Sequence, residues 1–152
     1  MAGSIRDIRH FTDDLKQFIN DVSNMAPFEV AAVVLEKITS MPGFPYDTGR
    51  LHSSGFAYAG GKLVATSDRG LCEDRPPRIS RPPNYATVIF KAVRRAKDGA
   101  NVYYAAAGGK FFDYAPYVFA RYGMSFFNAA IQPEVLNPAL DKATRLAWSK
   151  LK

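Results

Sequence analysis

The chain has one cysteine, Cys72, two histidines, His10 and His52, and one tryptophan in 152 residues. A lone cysteine closes no internal disulfide, so packing alone must hold the fold, as in chains made in a reducing compartment. Two histidines in different elements, with no cysteine cluster beside them, make no zinc-type ligand set. His52 and Cys72 have no local arrangement of base and nucleophile behind them, and His10 falls in an amphipathic pattern as a surface residue. Gly108-Gly109-Lys110 lacks the spaced glycines and the following Ser or Thr that cradle a phosphate. No apolar run approaches the ~20 residues of a membrane span. The polar start Ala2-Gly3-Ser4-Ile5-Arg6-Asp7 leads into no signal-peptide core. These absences leave no catalytic, metal or cofactor-binding residues to name, and the expectation is a soluble, non-enzymatic protein made in the cytoplasm.

What remains suffices for one domain over residues 1–152. A chain of this length buries roughly 68–70% of its unfolded surface. Its 47% hydrophobic and 22% charged residues are an ordinary globular balance. Twenty Lys and Arg against fourteen acids leave a formal charge of +6. That excess fits nucleic acid, an acidic protein surface or a solvated basic face. Arg75, Arg78 and Arg81 stand in a proline-rich stretch, while Lys91, Arg94, Arg95 and Lys97 approach a turn. Asp68, Glu73 and Asp74 are offset by Arg69, Arg75 and Arg78. No helix carries a groove-reading pattern, so sequence-specific DNA recognition is not expected.

Apolar residues at Ile5, Ile8, Phe11, Leu15, Phe18, Ile19 and Val22 have the three-and-four spacing of an amphipathic helix, with Ser4 as N-cap. Pro27 suits a helix start better than a helix interior, which predicts a break near Met25-Ala26 and makes residues 1–26 an N-terminal helical extension. A second helix, with Phe28, Val30, Ala31, Val33, Val34, Leu35 and Ile38, is apolar nearly all round and belongs in the core; Met41-Pro42-Gly43-Phe44-Pro45 ends it. Strands follow: Phe56–Ala59 and Leu63–Thr66 around the turn Gly60-Gly61, then Tyr85–Val93 and Asn101–Ala106 around Asp98-Gly99. Residues 67–84, with Pro76-Pro77 and Pro82-Pro83, form a long Pro/Arg-rich loop and a candidate binding arm. A last helix, regular from about Asn137, carries Leu140, Ala143, Leu146, Ala147 and Leu151. The expected fold class is α+β: N-terminal helices, a small antiparallel sheet of about four to five strands and a C-terminal helix.

Two motifs stand out. In Pro45-Tyr46-Asp47-Thr48-Gly49-Arg50-Leu51, Asp47 is placed to accept a backbone hydrogen bond two or three residues on, and Gly49 permits a turn that other residues resist. The turn is expected to leave Arg50 exposed to a neighbouring subunit and Leu51 inward. The second stretch places Phe111, Phe112, Tyr114, Tyr117, Phe119, Tyr122, Phe126 and Phe127 within seventeen residues, with Pro116 and Gly123 interrupting. It reads as a strand with a bent exit, Phe residues inward and several tyrosine hydroxyls at an interface with Arg121.

These residues carry a family resemblance. The small neck and tail-completion (head–tail connector) proteins of tailed bacteriophages typically have an N-terminal helix followed by Pro-x-Asp/Thr-Thr-Gly-x-Leu-x-x-Ser. A sheet, Tyr-x-x-Tyr-Val-x-x-Gly and a closing Pro-Ala come next. This chain resembles them through Pro45, Asp47, Thr48, Gly49, Leu51 and Ser54, then Tyr114, Tyr117, Val118 and Gly123, then Pro138-Ala139, in order over about residues 28 to 152. It departs in having Phe119-Ala120-Arg121-Tyr122 where an acidic residue is usual, a longer proline-rich loop, and the extra helix before Pro27. The resemblance implies a structural virion protein, without enzymatic activity or cofactor, made in the host cytoplasm. It would form a homo-oligomeric ring, a hexamer or dodecamer, between the portal or adaptor and the tail tube. Asp47, Thr48, Gly49, Arg50, Tyr114, Tyr117, Arg121 and Tyr122 are then the candidate contact residues. Arg75, Arg78, Arg81, Arg94 and Arg95 are the candidate basic surface toward channel DNA or an adjacent ring. The alternative reading is a small basic nucleic-acid-binding protein.

Overall fold

The structure, a computed structural model, describes residues 5–67, 72–78, 100–104, 114–122 and 125–151. Its spine is α1, Ile5–Ser40, a single helix of 36 residues and so roughly 54 Å long at 1.5 Å per residue. The break expected near Met25-Ala26 is absent, and Pro27 lies inside the helix. Proline there forfeits one backbone hydrogen bond and crowds the preceding turn, at a cost of about 3 kcal/mol. Burial offsets it: Ala31, Val34, Leu35 and Ile38 are all closed to solvent. Residues 5–26 are therefore the first part of one rod rather than a separate extension, and the Ser4 cap lies outside the described residues. By length and composition alone the stretch Ile8–Ser40 also meets the requirement for crossing a membrane. Its C-terminal part uses that apolar surface for the domain core. The helix ends as expected, with Gly43 at φ 82° and the Phe44 amide donating to the Met41 carbonyl.

A short helix α2, Arg50–Ser53, leads into strand β1, Gly55–Ala59, and β2, Lys62–Thr66. The hairpin turn is Gly60-Gly61, both at positive φ (54° and 75°), as a primed turn requires. The register shifts between Ala57 and Tyr58, leaving Val64 as the extra residue of a bulge. Strand β3, Ala100–Tyr104, pairs antiparallel on the other side of β1, giving the order β2-β1-β3. The described residues thus form three strands, not the four to five expected. The strand expected at residues 85–93 lies outside them, as do residues 105 and 106.

The second motif corrects the strand expectation further. Ala115–Tyr122 is a helix, α3, and Ser125–Ala130 is another, α4. Pro116 reads as a breaker, yet it sits in the first turn of α3, where no intrahelical donor is required of it. The amides of Tyr117 and Val118 both donate to the Tyr114 carbonyl and open the helix. The last helix, α5, is Pro133–Ser149 and starts one turn before Asn137, with Pro133 in the first helical positions and Pro138 inside. It runs antiparallel along α1: Lys142 pairs with Glu29 at 2.8 Å, and Trp148 lies edge-on to Phe18 at 5.8 Å. Ala139, Ala143 and Ala147, four apart on one face and all buried, let the two helices approach closely.

The core lies where α1 crosses the sheet. β1 turns Gly55, Ala57 and Ala59 inward, so its buried face is small residues throughout. Phe44 gathers the aromatic rings, with Tyr104 at 5.3 Å and Phe126 at 5.4 Å, and Phe119 bridges to Phe127 at 5.2 Å. The Tyr104 hydroxyl shares a 2.7 Å hydrogen bond with Thr39. Burial pushes the Tyr104 phenol up to about 12, and the Thr39 hydrogen bond only partly opposes this.

Two predictions follow from this packing. A Cβ on Gly55 would stand 2.5 Å from Leu35 Cδ1 and 2.8 Å from Tyr104 Cε1. Gly55→Ala is therefore expected to lower stability by about 1–3 kcal/mol, read by urea denaturation; an unchanged midpoint would refute the tight fit. The raised Tyr104 pKa means the folded state keeps a proton that the unfolded state releases above pH ~10. Its stabilising contribution is complete below that pH and is lost as the pH rises toward about 12, by about 2–3 kcal/mol. The difference in stability between wild type and Tyr104→Phe should shrink over that window, and a constant difference would contradict the assignment.

Candidate subunit-contact site

The chain leaves α1 and must turn into the sheet within a few residues. Gly49 makes that turn at φ 80°, a left-handed conformation that residues with a Cβ resist, and serves as the N-cap of α2. Thr48 is wholly buried, and its hydroxyl lies 3.1 Å from the Tyr114 hydroxyl. The Leu51 amide donates to that same phenol oxygen at 3.3 Å, and the Arg50 amide to Thr48 Oγ1 at 3.4 Å. One tyrosine thus satisfies groups at the start of α2, donors that a helix terminus leaves without intrahelical partners.

Outside this buried pair, residues 72–78 are stitched to the turn. The Glu73 amide donates to the Thr48 carbonyl at 2.8 Å. Arg75 Nη2 donates to Asp47 Oδ1 at 2.7 Å and to the Asp47 carbonyl at 3.0 Å, and Arg75 Nε pairs with Glu73. The Arg78 amide donates to Asp47 Oδ2 at 2.9 Å, and its guanidinium lies 3.5 Å from Oδ1. Desolvation pushes the Asp47 carboxyl upward. The hydrogen bonds from Arg75 and Arg78, with their two charges, outweigh it and hold the group below the usual carboxylate range. The carboxylates of Asp47 and Glu73 in turn raise Arg75 above the ordinary guanidinium value.

Three expectations need correction. Asp47 accepts from Arg75 and Arg78 rather than from the backbone just beyond it. Arg50 is not exposed: its side chain is 12% accessible, donating to the Glu73 carbonyl at 3.1 Å with Asp74 at 3.8 Å. Tyr114 is core, 3% exposed, rather than an interface tyrosine, and Tyr117 packs half-buried against that core. Leu51 does turn inward. Arg121 and Tyr122 lie in α3, but their side chains are outside the described residues, as are Arg81, Arg94 and Arg95. Arg75, expected as basic surface, is held by Asp47 and Glu73, while Arg78, also expected there, bonds Asp47 through its amide and keeps its side chain exposed.

Sequence reasoning missed Tyr46. It is 63% exposed on the outer side of the turn, with its ring edge-on to His52 at 5.9 Å. The signal was its position, one residue before a segment anchored on its inner side. The outward face of the node is Tyr46 with Asp74 and Arg78, an aromatic between charges of both signs, a composition suited to protein contact. Among the described residues no group of three His, Cys, Asp or Glu is arranged for a metal ion. Cys72 is exposed and unpaired, while His52 packs against Phe44.

No family model matches this chain, and no similarity was found to a curated protein or to a solved structure.

Asp47→Asn removes the charge that holds both guanidiniums. In hydrogen-exchange mass spectrometry the segment carrying the Glu73 and Arg78 amides is expected to exchange faster, with global stability little changed. The depressed Asp47 pKa gives the matching pH dependence: the contribution is present above 3.8 and is lost as the pH falls below that value. Unaltered exchange at neutral pH would show that Asp47 does not organise the segment.

Proposed function

We propose that this chain is a structural virion protein that forms a ring in the neck of a tailed bacteriophage, joining the portal-bearing head to the tail around the DNA channel. The observation that carries the reading is the meeting of its two motifs. Thr48 and Leu51 from the first stretch share the hydroxyl of Tyr114 from the second. The two stretches by which the chain resembles the connector proteins are thus parts of one corner, whose inner side is buried and whose outer side carries Tyr46, Asp74 and Arg78. A rigid corner of this kind supports a repeated contact between identical subunits, because a ring needs the same patch held at the same angle in every copy. The partners are further copies in a hexamer or dodecamer, a portal or adaptor ring and the tail tube, after synthesis in the host cytoplasm.

The alternative of a basic nucleic-acid-binding protein draws on the +6 charge. It is less well supported, since Arg75 meets Asp47 and Glu73 rather than standing free for phosphates.

The deciding measurement is the copy number of this protein in purified phage particles, by quantitative mass spectrometry against the major capsid protein. A fixed number of about six or about twelve is expected from closed rotational symmetry. Absence from the particle would overturn the reading. Steeply salt-dependent DNA binding by the isolated chain would then favour the alternative.

A further inference from the structure

The N-terminal half of α1 carries more apolar surface than the domain covers. Ile8, Phe11, Leu15 and Ile19 are 61%, 68%, 45% and 56% exposed. Ile8, Phe11, Leu15, Phe18 and Val22 follow one another at spacings of three and four, the a/d pattern of a helix that packs along another helix. Phe18 meets Trp148 of α5, which is itself 55% exposed. Beside them lies an open apolar cleft of about 370 Å³ lined by Phe18, Thr144, Arg145 and Trp148. A contiguous stripe of this kind marks an interaction surface.

Charge identifies the occupant. Helical periodicity places Arg9 and Lys16, seven apart, along one flank of the stripe, and Asp14 and Asp21, also seven apart, along the other. Two such helices packed in parallel bring the basic flank of one beside the acidic flank of the next. Packed antiparallel, they would set like against like. A lipid surface would favour basic residues on both flanks, and Asp14 and Asp21 occupy one.

We propose that this stripe is the seam at which α1 packs in parallel against α1 of a second copy, with Arg9 and Lys16 of one chain beside Asp14 and Asp21 of the other. Between two copies the seam is self-complementary, each basic edge beside the other's acidic edge, and around a larger ring the same edges repeat from one copy to the next. The inference deepens the neck-ring reading and rests on it only for cyclic closure.

The test is sedimentation velocity of the full chain over about a hundredfold range of concentration. Self-association is expected, and Phe11→Asp with Leu15→Asp, both at exposed positions, should weaken it by at least about tenfold while leaving the circular dichroism spectrum intact. Arg9→Glu with Lys16→Glu should weaken association, and adding Asp14→Lys with Asp21→Lys should restore it. In a Cys72→Ser background, Ile8→Cys chains should couple to each other on mild oxidation, because a parallel seam brings the two copies of residue 8 together. A chain that stays monomeric throughout would overturn the proposal. So would assembly unaffected by the Phe11 and Leu15 changes, or stripe-dependent flotation with phosphatidylcholine vesicles in place of self-association. Assembly that survives those two changes removes the seam and leaves the ring. Seam-dependent assembly of a protein absent from particles removes the ring and leaves the seam.

Discussion

The hydroxyls of Thr48 and Tyr114 lie 3.1 Å apart in a region closed to solvent, where neither has water as an alternative partner. A buried polar group left without a partner costs about 1–3 kcal/mol, so the pair constrains both segments that carry it. Through Thr48 it holds the turn after α1. The Leu51 amide, bonded to the same phenol, ties in the start of α2 and with it the entry to β1. Tyr114 immediately precedes the buried Ala115, so the same hydroxyl also fixes where α3 begins. Residues more than sixty positions apart are thereby made one corner.

That corner explains why the formal charge is a poor guide to the surface. The cations Arg50 and Arg75 are drawn back onto carboxylates and carbonyls of the turn and of residues 73 and 74. Multi-donor guanidiniums suit this work, since each holds two or more acceptors at once. Among the described residues, what faces outward around Tyr46 is a mixture of signs, Asp74 beside Arg78.

Helix α1 does two different things along its length. From Ala31 to Ile38 its apolar positions are buried against the sheet, and α5 lies along it through an alanine seam. From Ile8 to Ile19 the same periodicity continues with Ile8, Phe11, Leu15 and Ile19 exposed, while Phe18 meets Trp148. The rod therefore belongs to the domain core at one end and exposes its apolar edge at the other.

Local conformation was legible wherever the deciding atoms lie within a few residues of one another. Gly60-Gly61 specifies its hairpin because two successive positive φ angles are nearly a glycine property. Gly49 specifies its turn, Leu51 its inward side, and Ala143 and Ala147 their helix, for similarly local reasons. The prolines misled. Pro27 read as a boundary yet lies inside a helix, and Pro116 read as an interruption yet opens one, because the local cost of proline is finite and burial elsewhere exceeds it. The roles of Tyr114 and Arg75 were hidden for a different reason. Both residue types suit an interface as well as an anchor, and the choice depends on Thr48 and Asp47, which lie far away along the chain. By itself the sequence determined the glycine turns and the amphipathic faces of the first and last helices. Only the tertiary structure decided which tyrosine is buried, which arginines are engaged and how far the first helix runs, since those depend on long-range contacts that no local preference encodes.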